Sequence, residues 1–257
     1  MPDIWRPSHQ LVRPMGLGIP MLGMGGRGVV PGVTPYRSLS FDGDAFAQKA
    51  SPSGLPTGMS ATWTIECWTK PTSFAAAIIA ASWGNTASTR GPAIQFTADP
   101  LYSVQNWGDA KDAPSPTPQL STWVHLAAAM GGDDEVHIFA NGALIHSAAM
   151  ATNPGTDVLS LGCAVSLAHN FFVGEITLLR MWDIERNAAA VTSTMLLSEL
   201  SDDTVGLVGQ WKFQDEPGQT LLDSSANANH MTLGADPGTA TDDPAWIGPH
   251  TSVPPTS

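Results

Sequence analysis

"EVHIFANGALIHS", residues 135–147, is the stretch whose reading decides the fold class. Two runs of alternating apolar and polar residues flank Asn141-Gly142. Asn and Gly accept the positive backbone angles of a type I′ turn, and that turn follows the twist of two paired strands. The stretch therefore predicts a two-residue hairpin. Counting back from the turn pairs 140 with 143, 139 with 144, 138 with 145 and 137 with 146. That register sets His137 against His146, on the side of Phe139 and Leu144, with Val136, Ile138 and Ala140 turned to the core.

The same alternation continues on both sides. "TWTIECWTK" (62–70) places Trp63, Ile65 and Cys67 on one face and Thr64, Glu66 and Trp68 on the other. "STWVHLAAAM" (121–130) aligns Val124, Leu126, Ala128 and Met130, which leaves His125 on the face of His137. "FFVGEITLLRMW" (171–182) and "VGLVGQWKF" (205–213) read as further strands. Only "NAAAVTSTMLLSEL" (187–200) has helical spacing, with Val191, Met195 and Leu196 in register. Many short strands and one helix predict an all-β, antiparallel sandwich. Composition agrees. The 257 residues include 25 Gly and 21 Pro, and only 13% are charged, against roughly 25% in an average protein.

Three segments follow from this. Residues 38–234 are the strand-rich domain. Residues 235–257 turn to Pro, Thr, Ser and Asp and read as a tail. Residues 1–37 alternate Gly and Pro with apolar side chains, which forbids a helix yet is too apolar for a solvated linker. They read as an extended arm with four arginines, Arg6, Arg13, Arg27 and Arg37, against the single acid Asp3. The chain as a whole carries a net charge of −12, which argues against nucleic acid as a partner. A basic arm on an acidic body suggests docking onto a neighbouring subunit, through Trp5, Arg6, Arg13, Met15, Leu17, Ile19, Met21, Leu22, Arg27, Val29 and Val30. A solvated tail, or an arm folded back on its own domain, is the plainer alternative.

The opening residues lack the apolar core of about 7–15 residues of a signal peptide. No run approaches the ~18 apolar residues of a membrane-spanning helix. The expectation is a soluble protein made in the cytoplasm, with no membrane partner. Cys67 and Cys163 lie in apolar, strand-like runs, as two buried thiols or as one disulfide.

Taken in order, "LSFDGDAF" (39–46), "WTIECWTKP" (63–71), "STWVHLAAAM", "VHIFANGALIHS" (136–147), "LSLG" (159–162), "FVGEITLLRMWDIERN" (172–187) and "LVGQWKFQDEPGQTLLDSSANANHMTL" (207–233) resemble the laminin-G-like jelly rolls of the concanavalin A-like lectin/glucanase superfamily. The resemblance implies an antiparallel jelly-roll β-sandwich. It does not imply one function, because this fold carries lectins, enzymes, adhesins and virion proteins. The paired acid that the family often carries ahead of "RMW" is missing, since Ile-Thr-Leu-Leu follows Glu175.

Catalytic chemistry finds no support in the motifs. The Glu-x-Asp-x-x-Glu strand of the glucanases is absent, and Asp183 and Glu185 sit where a strand enters the helix. There is no nucleophile elbow, zinc-protease helix or phosphate loop, so the expected protein is not an enzyme. Carbohydrate binding, the superfamily's common task, needs aromatic faces and a few amides or acids. "SWGNT" and "VQNWGD" offer both, with Trp83, Asn85, Asn106, Trp107 and Asp109 as candidates; packing of the sandwich edge is the alternative. A calcium ion takes hard oxygen ligands. Asp42, Asp44, Asp223, Asn227 and Asn229 could supply them if the two chain ends meet, although Asp223-Ser-Ser also reads as a tight turn in which Asn227 and Asn229 tolerate left-handed backbone angles. His125, His137 and His146 on one face could hold a transition metal or sense pH, or be plain sheet surface.

The expected function is that of a phage virion protein, a jelly roll that decorates or cements a capsid or joins a tail. The arm would anchor it to capsid or other virion proteins, in a homo-oligomer assembled in the host cytoplasm. The alternative is a lectin-like carbohydrate-binding or adhesion module at the cell surface or outside the cell, and the two are compatible.

Overall fold

The computed structural model describes residues 35–59, 61–214, 217–238 and 241–254. The first strands are β1 (Tyr36–Asp42), β2 (Ala47–Ala50), β3 (Trp63–Pro71), β4 (Ile78–Gly84), β5 (Pro92–Phe96) and β6 (Tyr102–Asn106). Next come β7 (Ala110–Ala113), β8 (Val124–Met130), β9 (Glu135–Ala140), β10 (Ala143–Ala149), β11 (Val158–Leu161) and β12 (Val173–Trp182). Helix α1 (Ala188–Thr194) precedes β13 (Leu207–Trp211), β14 (Thr220–Leu221), β15 (Met231–Leu233) and β16 (Ala245–His250).

All pairings are antiparallel and form two sheets. One runs β10-β9-β8-β3-β12-β1-β16, with β13 also on β12; the other runs β14-β15-β2-β11-β4-β5-β6-β7. The long strand β12 serves two partners on one edge. Val173–Ile176 pairs with β1, Leu179–Trp182 pairs with β13, and Leu178 between them has φ 52°. The core lies between the sheets, where the Trp63 and Trp83 rings meet edge to face at 4.9 Å, beside Phe41, Phe96, Leu126, Ile138 and Trp211. The outer face of the first sheet is also covered. Val191 of α1 packs on Ala127, Ala129 and Phe139.

The expected sandwich, turn and strands are present, and four details differ. Asn141 and Gly142 do take φ of 50° and 78°, but a bulge at Ile145 shifts the hairpin register. His137 faces Ser147, and His146 falls opposite Ile138. The helix stops at Thr194 instead of 200, because side chains capture its last carbonyls. Arg180 donates to Thr194 O and Leu197 O, and Trp68 Nε1 donates to Met195 O at 2.8 Å. The segment read as a tail contains β16, an edge strand whose Trp246 stands opposite Leu39. In the turn after Leu222, Ala228, and not an Asn, takes the positive φ of 49°. Cys67 and Cys163 are free and buried. The proposed arm contacts from Trp5 to Val30 lie outside the described residues.

Candidate functional site

At one end of the sandwich, loops from both sheets interlock. Gly58 N bonds Pro154 O, Asn153 N bonds Thr89 O, Thr89 N bonds Trp107 O, and Met150 N bonds Asp134 O. Between these loops lies a cleft of about 400 Å³, lined by Met59, Thr89, Asp134 and residues 149–153. Met59 stands at its rim, 79% exposed. Thr152 lines it and is only 6% exposed, yet its Oγ1 has no hydrogen-bond partner. Asn106, fully buried, donates Nδ2 to Ala151 O at 2.6 Å, while its Oδ1 is also without a donor. A buried polar atom without a partner costs roughly 1–3 kcal/mol. Thr152 lines the cleft and Asn106 bonds its lining at Ala151, so both unsatisfied atoms belong to the packing behind this one surface.

The five residues expected to bind sugar separate into two groups. Trp83 is not on a loop. It belongs to β4, is fully buried in the core and donates Nε1 to Pro56 O at 3.1 Å. It cannot stack on a sugar, and the short run "SWGNT" did not reveal that its first three residues end a buried strand. Asn106 is buried behind the cleft, bonded to Ala151 O of its lining, and does not itself line it. Asn85, Trp107 and Asp109 remain near the surface. Asn85 Nδ2 donates to Asp157 Oδ2 at 2.5 Å, and Asp109 pairs with Lys111 at 2.8 Å. Half-buried Trp107 rests on Ile79, Ala93 and Ala164, with φ 23°. Thr89, Asp134 and Thr152 were missed by sequence reading, because Thr and Asp in loops carry no signal until the loops meet.

The calcium set does not assemble as expected. Asp223 spends its oxygens on four protein donors: Gln210 N, Ser225 N, Ser225 Oγ and Asn229 N, at 2.8–2.9 Å. Asn229 clamps Ser53 through both amide atoms, and Asn227 Nδ2 donates to Val208 O. These residues close a turn and tie it to the β2–β3 loop. Asp42 and Asp44 do not group with Asp223. They hydrogen-bond each other instead, which lowers the Asp42 pKa and raises that of Asp44.

The three histidines also separate. His125 is buried under the helix with Nε2 3.9 Å from Glu66, and burial pushes its pKa down to about 4. Glu66 in turn holds Arg186 at 3.0 Å and Arg180 at 3.5 Å, so this group is a buried charge network between sheet and helix.

Residues 42–192 match the family model Laminin_G_3 of the concanavalin A-like lectin/glucanases superfamily. No curated protein sequence matches the chain. Among solved structures, the chain resembles a Bacteroides ovatus protein to which carbohydrate binding has been ascribed, with TM-score 0.60 and 13% identity. That match covers 79% of this chain and 59% of the other, so the chain spans less than two thirds of that protein. It also resembles a heptameric SAP-like pentraxin of Limulus polyphemus, with TM-score 0.53 and 14% identity over 84% and 97% of the two chains. The CBM40 of a Ruminococcus gnavus IT-sialidase, solved with α2,3-sialyllactose, gives TM-score 0.50 and 16% identity over 63% and 98%. At such identities the likeness concerns the fold.

Proposed function

The chain belongs to the concanavalin A-like lectin/glucanases superfamily, and from that premise we propose that it is a non-catalytic glycan-binding module. Its binding cleft is the one between Met59, Thr89, Asp134 and Thr152. The observation that carries this reading is Thr152, which lines that cleft and whose buried Oγ1 has no hydrogen-bond partner. A sugar hydroxyl both donates and accepts, so it can satisfy such an atom once the Thr152 side chain turns its hydroxyl into the cleft. Asp134 accepts further hydroxyl protons, and the Met59 side chain covers an apolar sugar face. Among the described residues the cleft lining contains an acid and no Lys or Arg, which favours a neutral, hydroxyl-rich sugar over an acidic one. Carbohydrate binding by the CBM40 and ascribed to the Bacteroides protein supports a glycan as the ligand, although the CBM40's sialyllactose is an acidic one and bears on the fold's task rather than on the charge of the sugar.

The test is glycan-array screening of the full chain, followed by calorimetry on the best neutral glycan. Thr152→Val keeps the shape and removes the hydroxyl, and should weaken binding tenfold or more. A blank across the array, or a Thr152→Val chain that binds unchanged, rejects the cleft. A virion location, with residues 1–37 as the anchor, is compatible with glycan binding; it rests on the basic, apolar sequence of that arm alone.

A further inference from the structure

Beside the cleft, the turn from β8 to β9 carries a second arrangement of functional groups. Asp133, Glu135 and His137 occupy alternate positions, so their side chains leave the same face of the sheet. One ligand atom from each lies within 4.8 Å of the other two. Glu185 reaches this group from the segment between β12 and α1, with Oε1 3.4 Å from His137 Nε2. A Cβ placed on Gly131 would lie 2.5 Å from Asp133 Oδ1 and 3.0 Å from Glu185 Oε2. The two carboxylates thus approach each other over a residue that has no side chain to separate them.

The charges of this group do not balance. Three carboxylates surround one imidazole, and among the described residues no Lys or Arg pairs with any of the three. Like charges brought this close repel unless a cation sits among them. The imidazole sets the group apart from an ordinary acidic patch, and it is held in place. Ser147 Oγ lies 2.7 Å from His137 Nδ1, leaving Nε2 turned toward Glu185. An outer partner on one ring nitrogen with the other facing carboxylates is how proteins orient a metal-binding histidine. The bulge at Ile145 creates this contact, because it places Ser147 opposite His137.

We propose that Asp133, Glu135, His137 and Glu185 form a surface site for a divalent transition metal of the zinc class. One nitrogen and several carboxylate oxygens suit Zn²⁺, Mn²⁺ or Co²⁺, whereas Ca²⁺ takes oxygens alone. Metal bonds of about 2.0–2.2 Å set ligand atoms roughly 3.3–3.6 Å apart in a tetrahedron. The His137–Glu185 pair already has that spacing, at 3.4 Å, and the acids on the turn close by side-chain rotation. The site uses none of the residues that line the glycan cleft, so it stands or falls apart from that reading.

Calorimetric titration of the full chain with Zn²⁺ tests it, with the visible spectrum of added Co²⁺ as a second readout. One Zn²⁺ per chain is expected. His137→Asn and Glu185→Gln should each weaken binding tenfold or more and remove the Co²⁺ bands, while His146→Asn, on a histidine outside the group, retains both. The side chains of His137 and Glu185 are 18% and 41% exposed, so unchanged urea midpoints should accompany the loss of metal. Absence of Zn²⁺ heat overturns the site, as does binding that survives both substitutions. Equal affinity for Ca²⁺, unaffected by His137→Asn, would overturn the metal class.

Discussion

His125 and Glu66 show how a residue's neighbours decide its chemistry. In the sequence both are polar positions on the non-core side of a strand, where water is the ordinary neighbour. In the fold α1 and its flanking loops cover that side, and the two residues are 1% and 0% exposed. Glu66 is ringed by Arg180, Arg186 and His125, and the Arg186 guanidinium also lies over the Trp182 ring at 3.9 Å. Desolvation outweighs the Glu66 charge and lowers the His125 pKa to about 4, from about 6.5 in an unfolded chain. Between those values the unfolded chain binds the proton and the folded chain does not, so His125 favours folding fully above pH 6.5. That contribution shrinks as pH falls from 6.5 toward 4, by a total on the order of 3 kcal/mol. Urea melts at pH 7, 5.5 and 4.5 should therefore lose stability more steeply for the natural chain than for His125→Gln. Parallel losses in the two proteins would exclude His125 as the cause.

At the scale of elements, the hairpin of β9 and β10 was legible because its information is local. Asn-Gly between alternating runs sets turn type and length without help from the rest of the chain. Gly142 carries a second constraint that only the fold imposes: a Cβ there would collide with Thr192 of α1, and Thr192 Oγ1 donates to Gly142 O at 3.3 Å. Its φ of 78° adds strain for any other residue. Gly142→Ala should destabilise the protein by about 1–3 kcal/mol, read as a lower urea midpoint; an unchanged midpoint would show that the turn and helix shift freely. The bulge at Ile145 was not legible, since an inserted residue leaves an alternating pattern nearly intact. Nor was the end of α1. A helix of seven residues is unstable alone, and the Asn187 cap together with the donors Trp68, Arg180 and Arg186 determines where it forms.

Across the whole molecule, the last strand closes an edge that begins at the first. β16 covers β1 from Tyr36 to Ser40, and the Tyr36 hydroxyl donates to Ser252 O at 2.6 Å. Removing residues 244–254 would strip that cover and expose a row of backbone donors and acceptors on β1. The truncated chain should melt several degrees lower and self-associate as its concentration rises. Sedimentation at two concentrations checks this, and a monomer with the original melting temperature would contradict it. The candidate cleft depends on the same long-range closure, for its walls come from loops that start at residue 51 and end at residue 157.

By itself, the sequence determined the fold class, the hairpin turn and most of the strands, because alternation and turn chemistry act over a few residues. It also identified the family, through the order of those pieces. Only the tertiary structure decided which polar groups are buried. It moved Trp83 into the core, committed Asp223 and Asn229 to a turn, and left Thr152 without a partner. It also brought Asp133, Glu135 and His137 into one group, with Glu185 beside His137. The physical reason is the same in each case. A side chain's environment is set by residues far along the chain, and burial, pairing and repulsion exist only once those residues meet.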